Sequence, residues 1–192
     1  MSLSNMEKYI DYFSALHTNT QKGVKAPHKA IMLLSVIDLV EYGVITSNQI
    51  ELSERLEQQF QHNWLRYVGQ SDVFQPRVGT PFWHLNNEPF WRLVPYEGGD
   101  EAIAMHLQGN PYAPGTTRKL IRYAEIDKEL FDLLQDESNR AKLRTTLIKN
   151  FTIQGARQWS GTFVMFICLG LRMLIQKKLL RQLLLLPRYL HH

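Results

Sequence analysis

Apolar residues recur at helical spacing through most of the first 70 positions. Tyr9, Phe13 and Leu16 share one face of a helix predicted over Asn5 to Leu16, with Met6 one turn earlier. Thr18 to Lys25 is polar and basic, contains Gly23, and is expected as a loop. A second helix is predicted from Pro27, a residue suited to a first helical turn, to about Tyr42, ending at Gly43. Its Ile31, Met32, Leu33, Leu34, Val36, Ile37, Leu39 and Val40 cover most of its circumference. A helix apolar nearly all round belongs at the centre of a core. Ile50 to Leu52 suits a short strand. Ser53 is placed to cap a third helix to about Val68, with Leu56, Phe60, Trp64 and Val68 at spacing four.

The pattern then changes. Gly69 to Thr80 is expected as a loop. Phe82–Leu85 and Phe90–Val94 are aromatic-rich and flank Asn86-Asn87-Glu88-Pro89, which predicts a hairpin. A three-residue turn would set Leu85 opposite Trp91 and Trp83 opposite Leu93, and would pair His84 with Arg92. Ala102–Leu107 suits a further strand, and helices are expected over Asp127–Leu134 and Ser138–Asn150. Leu143, Leu147 and Phe151 form the buried stripe of the last one. The class is therefore α+β: a mainly helical domain with a winged-helix-like β-hairpin, followed by a C-terminal helical appendage.

Charge divides the chain at the same place. Residues 1–151 hold 16 Lys and Arg against all 18 Asp and Glu, a net of −2; residues 152–192 hold 6 Lys and Arg and no acid, a net of +6. A nucleic-acid site in the first part must be a local patch and not a whole-domain field. In the tail, Thr162 to Ile175 is apolar but interrupted by Arg172. That is short of the roughly 18–20 uncharged residues of a spanning helix, so no membrane span is expected. Two readings of the acid-free tail stay open: an amphipathic helix for a membrane surface or a partner, or a truncated or altered reading frame. Met1 to Lys8 is polar and lacks a signal-peptide apolar core, so a cytoplasmic protein is the default. The one cysteine, Cys168, excludes a disulfide framework.

Two stretches carry a resemblance. One is Lys25-Ala26-Pro27-His28-Lys29-Ala30-Ile31-Met32-Leu33-Leu34 with Val36-Ile37-Asp38-Leu39 after it; the other is Pro81-Phe82-Trp83-His84-Leu85 followed by Phe90-Trp91-Arg92-Leu93. A weaker third is Tyr123-Ala124-Glu125-Ile126-Asp127-Lys128-Glu129-Leu130-Phe131, then Arg140 and Leu143. In this order they resemble the sulfur-binding domain of type IV restriction proteins, over about residues 5–151. That domain usually precedes an HNH nuclease domain. The resemblance implies binding of double-stranded DNA in which sulfur replaces one backbone phosphate oxygen, as the reader module of a restriction system. It implies a small apolar cavity for the sulfur and basic groups on flanking phosphates. Sulfur is larger, softer and a poorer hydrogen-bond acceptor than oxygen. An apolar pocket therefore penalises an ordinary phosphate oxygen, which loses its water without replacement.

On this basis Lys25, His28, Lys29, Arg77, His84 and Arg92 are the expected DNA contacts. Phe82, Trp83, His84, Arg92 and Phe151 are the expected sulfur pocket. Three basic or basic-capable residues at a helix N-terminus suit a phosphate clamp. Arg77, in a loop leading to the aromatic segment, suits a backbone contact. Thr152 stands where family members carry a proline after the aromatic residue, which weakens that wall of the pocket. No HNH-like histidine and asparagine arrangement, HExxH, GxSxG or Walker loop is present, and no metal or cofactor is implied. Two alternatives stay open: a restriction endonuclease whose nuclease motif is unrecognisable, and a winged-helix scaffold for protein or ordinary DNA. A possible homodimer is also open.

Overall fold

The computed structural model describes residues 2–97 and 112–155, with side chains placed for 5–97 and 112–149. The strand expected over Ala102–Leu107 and the tail from 156 onward lie outside the described residues. One unit spans Met1–Gln154 and a second Gly155–His192; the core belongs to the first. The expected boundary was 151/152.

The fold is α+β and mainly helical. Helix α1 (Ser2–Ser14) leads to a small hairpin, β1 (Thr20–Gln21) and β2 (Val24–Lys25), and then to α2 (His28–Glu41). Every residue from Ile31 to Val40 is buried, as an all-round apolar helix requires. Gly43 ends it at φ 69°, a left-handed conformation that suits glycine. Strand β3 (Gln49–Ile50) precedes α3 (Glu54–Tyr67). The Ser53 hydroxyl caps α3 by accepting from the Leu56 amide at 3.2 Å. Leu56, Phe60 and Trp64 turn inward toward α2. Among the described residues no helix is long and apolar enough to cross a membrane.

The expected hairpin of Phe82–Leu85 with Phe90–Val94 does not form. Gly79–His84 is a helix, α4, continued by a 3₁₀ turn over Leu85–Asn87. Pro81 sits in the first turn of α4, where its missing N–H has no intrahelical acceptor to lose. Phe82 and Leu85, three apart, are then both fully buried. Only the second segment is a strand, β4 (Trp91–Pro95). It pairs antiparallel with β5 (Ile121–Ile126), which follows α5 (Pro114–Leu120), and β3 covers the other edge of β5. The strand order is β3-β5-β4.

Helices α6 (Lys128–Leu133) and α7 (Glu137–Gly155) close the unit. Arg140 donates to the Leu134 and Gln135 carbonyls at 2.8 and 2.9 Å, tying the start of α7 to the end of α6. Leu143 and Leu147 are fully buried. Buried Asp38 gathers three elements. Its carboxylate accepts from Gln59 and Asn63 of α3, at 2.9 and 2.7 Å, and from Arg144 of α7 at 2.6 Å.

Candidate nucleic-acid interface

The first motif occupies the end of β2 and the start of α2. Pro27 is the N-cap, and its ring cannot accept from the first-turn amides. Lys25 is exposed. His28 turns inward instead. Its ring lies 4.8 Å from Trp64 and edge-on to Phe74 at 5.6 Å, between centroids, and Nε2 is 2.8 Å from the Gln75 carbonyl. Burial pushes the imidazole pKa down; the Gln75 carbonyl opposes this and the Arg77 charge adds to it. His28 is thus committed to packing. The cation it brings to the surface is Arg77, exposed in the loop whose Gln75 carbonyl it holds.

Lys29 is also turned inward, and the expected clamp changes in kind. Lys29 and Glu88 are only 6% and 5% exposed, and the ammonium donates to Glu88 Oε1 at 2.5 Å. Glu88 further accepts from the His17 amide at 3.0 Å, and its second oxygen lies 3.3 Å from His17 Nδ1. An ammonium so engaged is not a free phosphate ligand. It fixes the 3₁₀ turn after α4 against α2.

The second motif lies beside the first because α4 packs on α2. Phe82 is fully buried and meets Trp91 edge-on at 5.5 Å, while Trp91 Nε1 donates to the Phe82 carbonyl at 3.1 Å. Phe82 therefore backs the site and does not line it. Trp83 is half-buried and donates to Thr117 Oγ1 at 2.9 Å. His84 is exposed, with its ring 5.1 Å from that of Tyr112, tilted by 34°. Partial burial lowers its pKa, and the positive charge of Lys29 lowers it further. Both effects favour the neutral imidazole, whose ring lies beside Tyr112.

Arg92 is elsewhere. Successive strand residues face opposite sides of a sheet. Trp91 faces α4, so Arg92 faces away, and it is exposed and ion-paired with Glu125 of β5. The pairing of His84 with Arg92 depended on a hairpin that does not form. A cavity of about 320 Å³ is lined by Arg92 and Glu125 together with Trp91 and Lys128. Phe151 falls inside α7, which runs on to Gly155, and its side chain lies outside those described. Among the described residues no three His, Cys, Asp or Glu side chains are grouped to hold a metal.

Residues the sequence did not single out complete the site: His17, Glu88 and Tyr112. Tyr112 depends on Gly79. A Cβ at Gly79 would stand 2.0 Å from the Tyr112 carbonyl oxygen, so the two backbones touch only because glycine is there. Gly79→Ala is expected to destabilise the fold by about 1–3 kcal/mol by forcing the backbones apart. A urea midpoint indistinguishable from the parent's would show that the contact is not held in solution.

No protein-family model matches the chain, and no curated protein matches it.

Proposed function

We propose that residues 1–151 bind double-stranded DNA carrying a phosphorothioate linkage, as the reader module of a restriction system. One observation carries this. Two motifs that start more than 50 residues apart, those that resemble the sulfur-binding domain, converge where α4 packs on α2. There the His84, Tyr112 and Trp83 rings offer polarisable aromatic surface. Exposed Lys25 and Arg77 supply charge. The two roles are physically separable. Cations attract every phosphate alike, whereas the faces of aromatic rings, which offer contact area in place of a donor, act on the difference between sulfur and oxygen.

Matched duplexes with and without one phosphorothioate test the proposal in a gel shift. The modified duplex is expected to bind roughly tenfold to a hundredfold more tightly, the equivalent of about 1–3 kcal/mol for one stranded acceptor. His84→Ala should compress that ratio, and Lys25→Ala should weaken both duplexes and leave it intact. A ratio of one at matched salt removes the proposal. It would favour the scaffold for ordinary DNA, or for protein if neither duplex binds.

A further inference from the structure

The polar segment before α2 is a folded element. Thr20 pairs with Lys25 and Gln21 with Val24, and only Lys22 and Gly23 reverse the chain. Both have positive φ, 50° and 77°, the combination of a type I′ turn. Such turns favour asparagine at the first position, because left-handed backbone is unfavourable for other side chains. Lys22 is the one non-glycine residue with positive φ among those described. The chain therefore keeps a conformationally disfavoured lysine at an exposed tip, where an outlier points to a functional demand on the side chain.

The rest of the hairpin shows what that position offers. Val24 is half-buried and packs on the core. Its cross-strand partner Gln21 lies on the same side, which leaves Thr20 and Lys25 on the outer side. The base is closed by one cross-strand hydrogen bond at Asn19 and braced by a local one. Its carbonyl accepts from the Ala26 amide at 2.8 Å, and its side-chain oxygen accepts from the Thr20 amide at 2.8 Å. Lys25 lies three residues before His28, so the hairpin is a braced arm continuous with the interface described above.

We propose that this hairpin is a second DNA-contacting element, with Lys22 at its tip on a backbone phosphate away from the sulfur. The proposal rests on the DNA-binding reading. A lysine ammonium is a mobile point charge, suited to phosphate and not to base readout. Lys22 therefore adds affinity without adding selectivity.

Lys22→Asn in the full chain separates this role from a structural one, because the two predict opposite signs. Asparagine suits the turn better, so thermal stability should hold or rise. Affinity for both duplexes should nevertheless fall roughly threefold to tenfold near 0.1 M salt, and the slope of log K against log salt should shrink by about one. Lys22→Arg should restore both. Unchanged affinity and slope in Lys22→Asn overturn the arm, as does a loss that Lys22→Arg fails to restore. A parent selectivity of one with the Lys22 effect intact removes the sulfur proposal alone. Strong selectivity with no Lys22 effect removes the arm alone, and no binding of either duplex removes both.

Discussion

Asp38→Ala is expected to destabilise the fold by about 3–5 kcal/mol, because two amide donors lose their buried acceptor at about 1–3 kcal/mol each. The carboxylate is the meeting point of α2, α3 and α7. One oxygen accepts from the Gln59 and Asn63 amides, the other from the Arg144 guanidinium. Asn63 is fully buried; its amide nitrogen also meets the Ser35 hydroxyl at 3.2 Å, and its oxygen accepts from Gln59 at 3.4 Å. Without Asp38 the two amides have lost their shared acceptor in a place water enters poorly, while Arg144 keeps its ion pair with Glu41. Arg144→Ala should cost less, about 1–3 kcal/mol, because it leaves Asp38 with both amide donors. The order of the two effects is therefore part of the prediction. Urea midpoints at unchanged slope measure both. A loss below 1 kcal/mol in Asp38→Ala would mean that the Asp38 network adds little to what buried Leu143 and Leu147 and the Arg140 contacts already give α7.

The elements that carry this network were the legible ones. Helices α1, α2 and α3 each extend over three turns or more, and their apolar spacing repeats often enough to exclude a strand. The short segments were not legible. Phe82–Leu85 is a four-residue aromatic run, and such a run fits a strand as well as one turn of helix. Pro81 at its head was the available signal, since proline is tolerated in a first helical turn. Strand β5 hid for another reason. Val94 pairs with Tyr123 and Pro95 with Ile121, so a bulge at Arg122 shifts the alternation partway along the strand. Ile121, Ala124 and Ile126 are all buried, a spacing that matches neither period.

The candidate site was legible to a similar degree. Two motifs pointed to the segments that form α2 and, in place of the expected hairpin, α4, and the fold brings both together. Which side of each helix its residues occupy depended on partners far away in the chain. His28 turns in because Trp64 and Phe74 offer it ring contacts. Lys29 turns in because Glu88 waits 59 residues later, in a segment that looked like an ordinary turn. Arg92 was misplaced because its face follows from its true strand partner, which periodicity did not reveal.

Lys29 supplies the second large effect, and it discriminates between a phosphate clamp and a structural ion pair. A clamp lysine replaced by a neutral residue should weaken DNA binding and leave the fold intact, as expected for exposed Lys25. A buried lysine leaves its partner stranded. Lys29→Met is expected to destabilise the fold by about 3–5 kcal/mol, because the Glu88 carboxylate would remain buried with only the His17 amide and imidazole as partners. Glu88→Gln alone should also destabilise, since it leaves the ammonium buried without a counter-charge. Combining the two removes both charges at nearly constant shape. A glutamine oxygen can still accept from the His17 amide. The double variant should therefore recover most of the loss, giving a coupling energy of roughly 2–3 kcal/mol of the sign expected for contacting residues. The intermediate variants should show lowered urea midpoints, and the double variant one close to the parent's. Additive losses would mean that Lys29 and Glu88 do not share a buried contact in solution. Lys29 would then return to the list of free cations at the start of α2, beside Lys25.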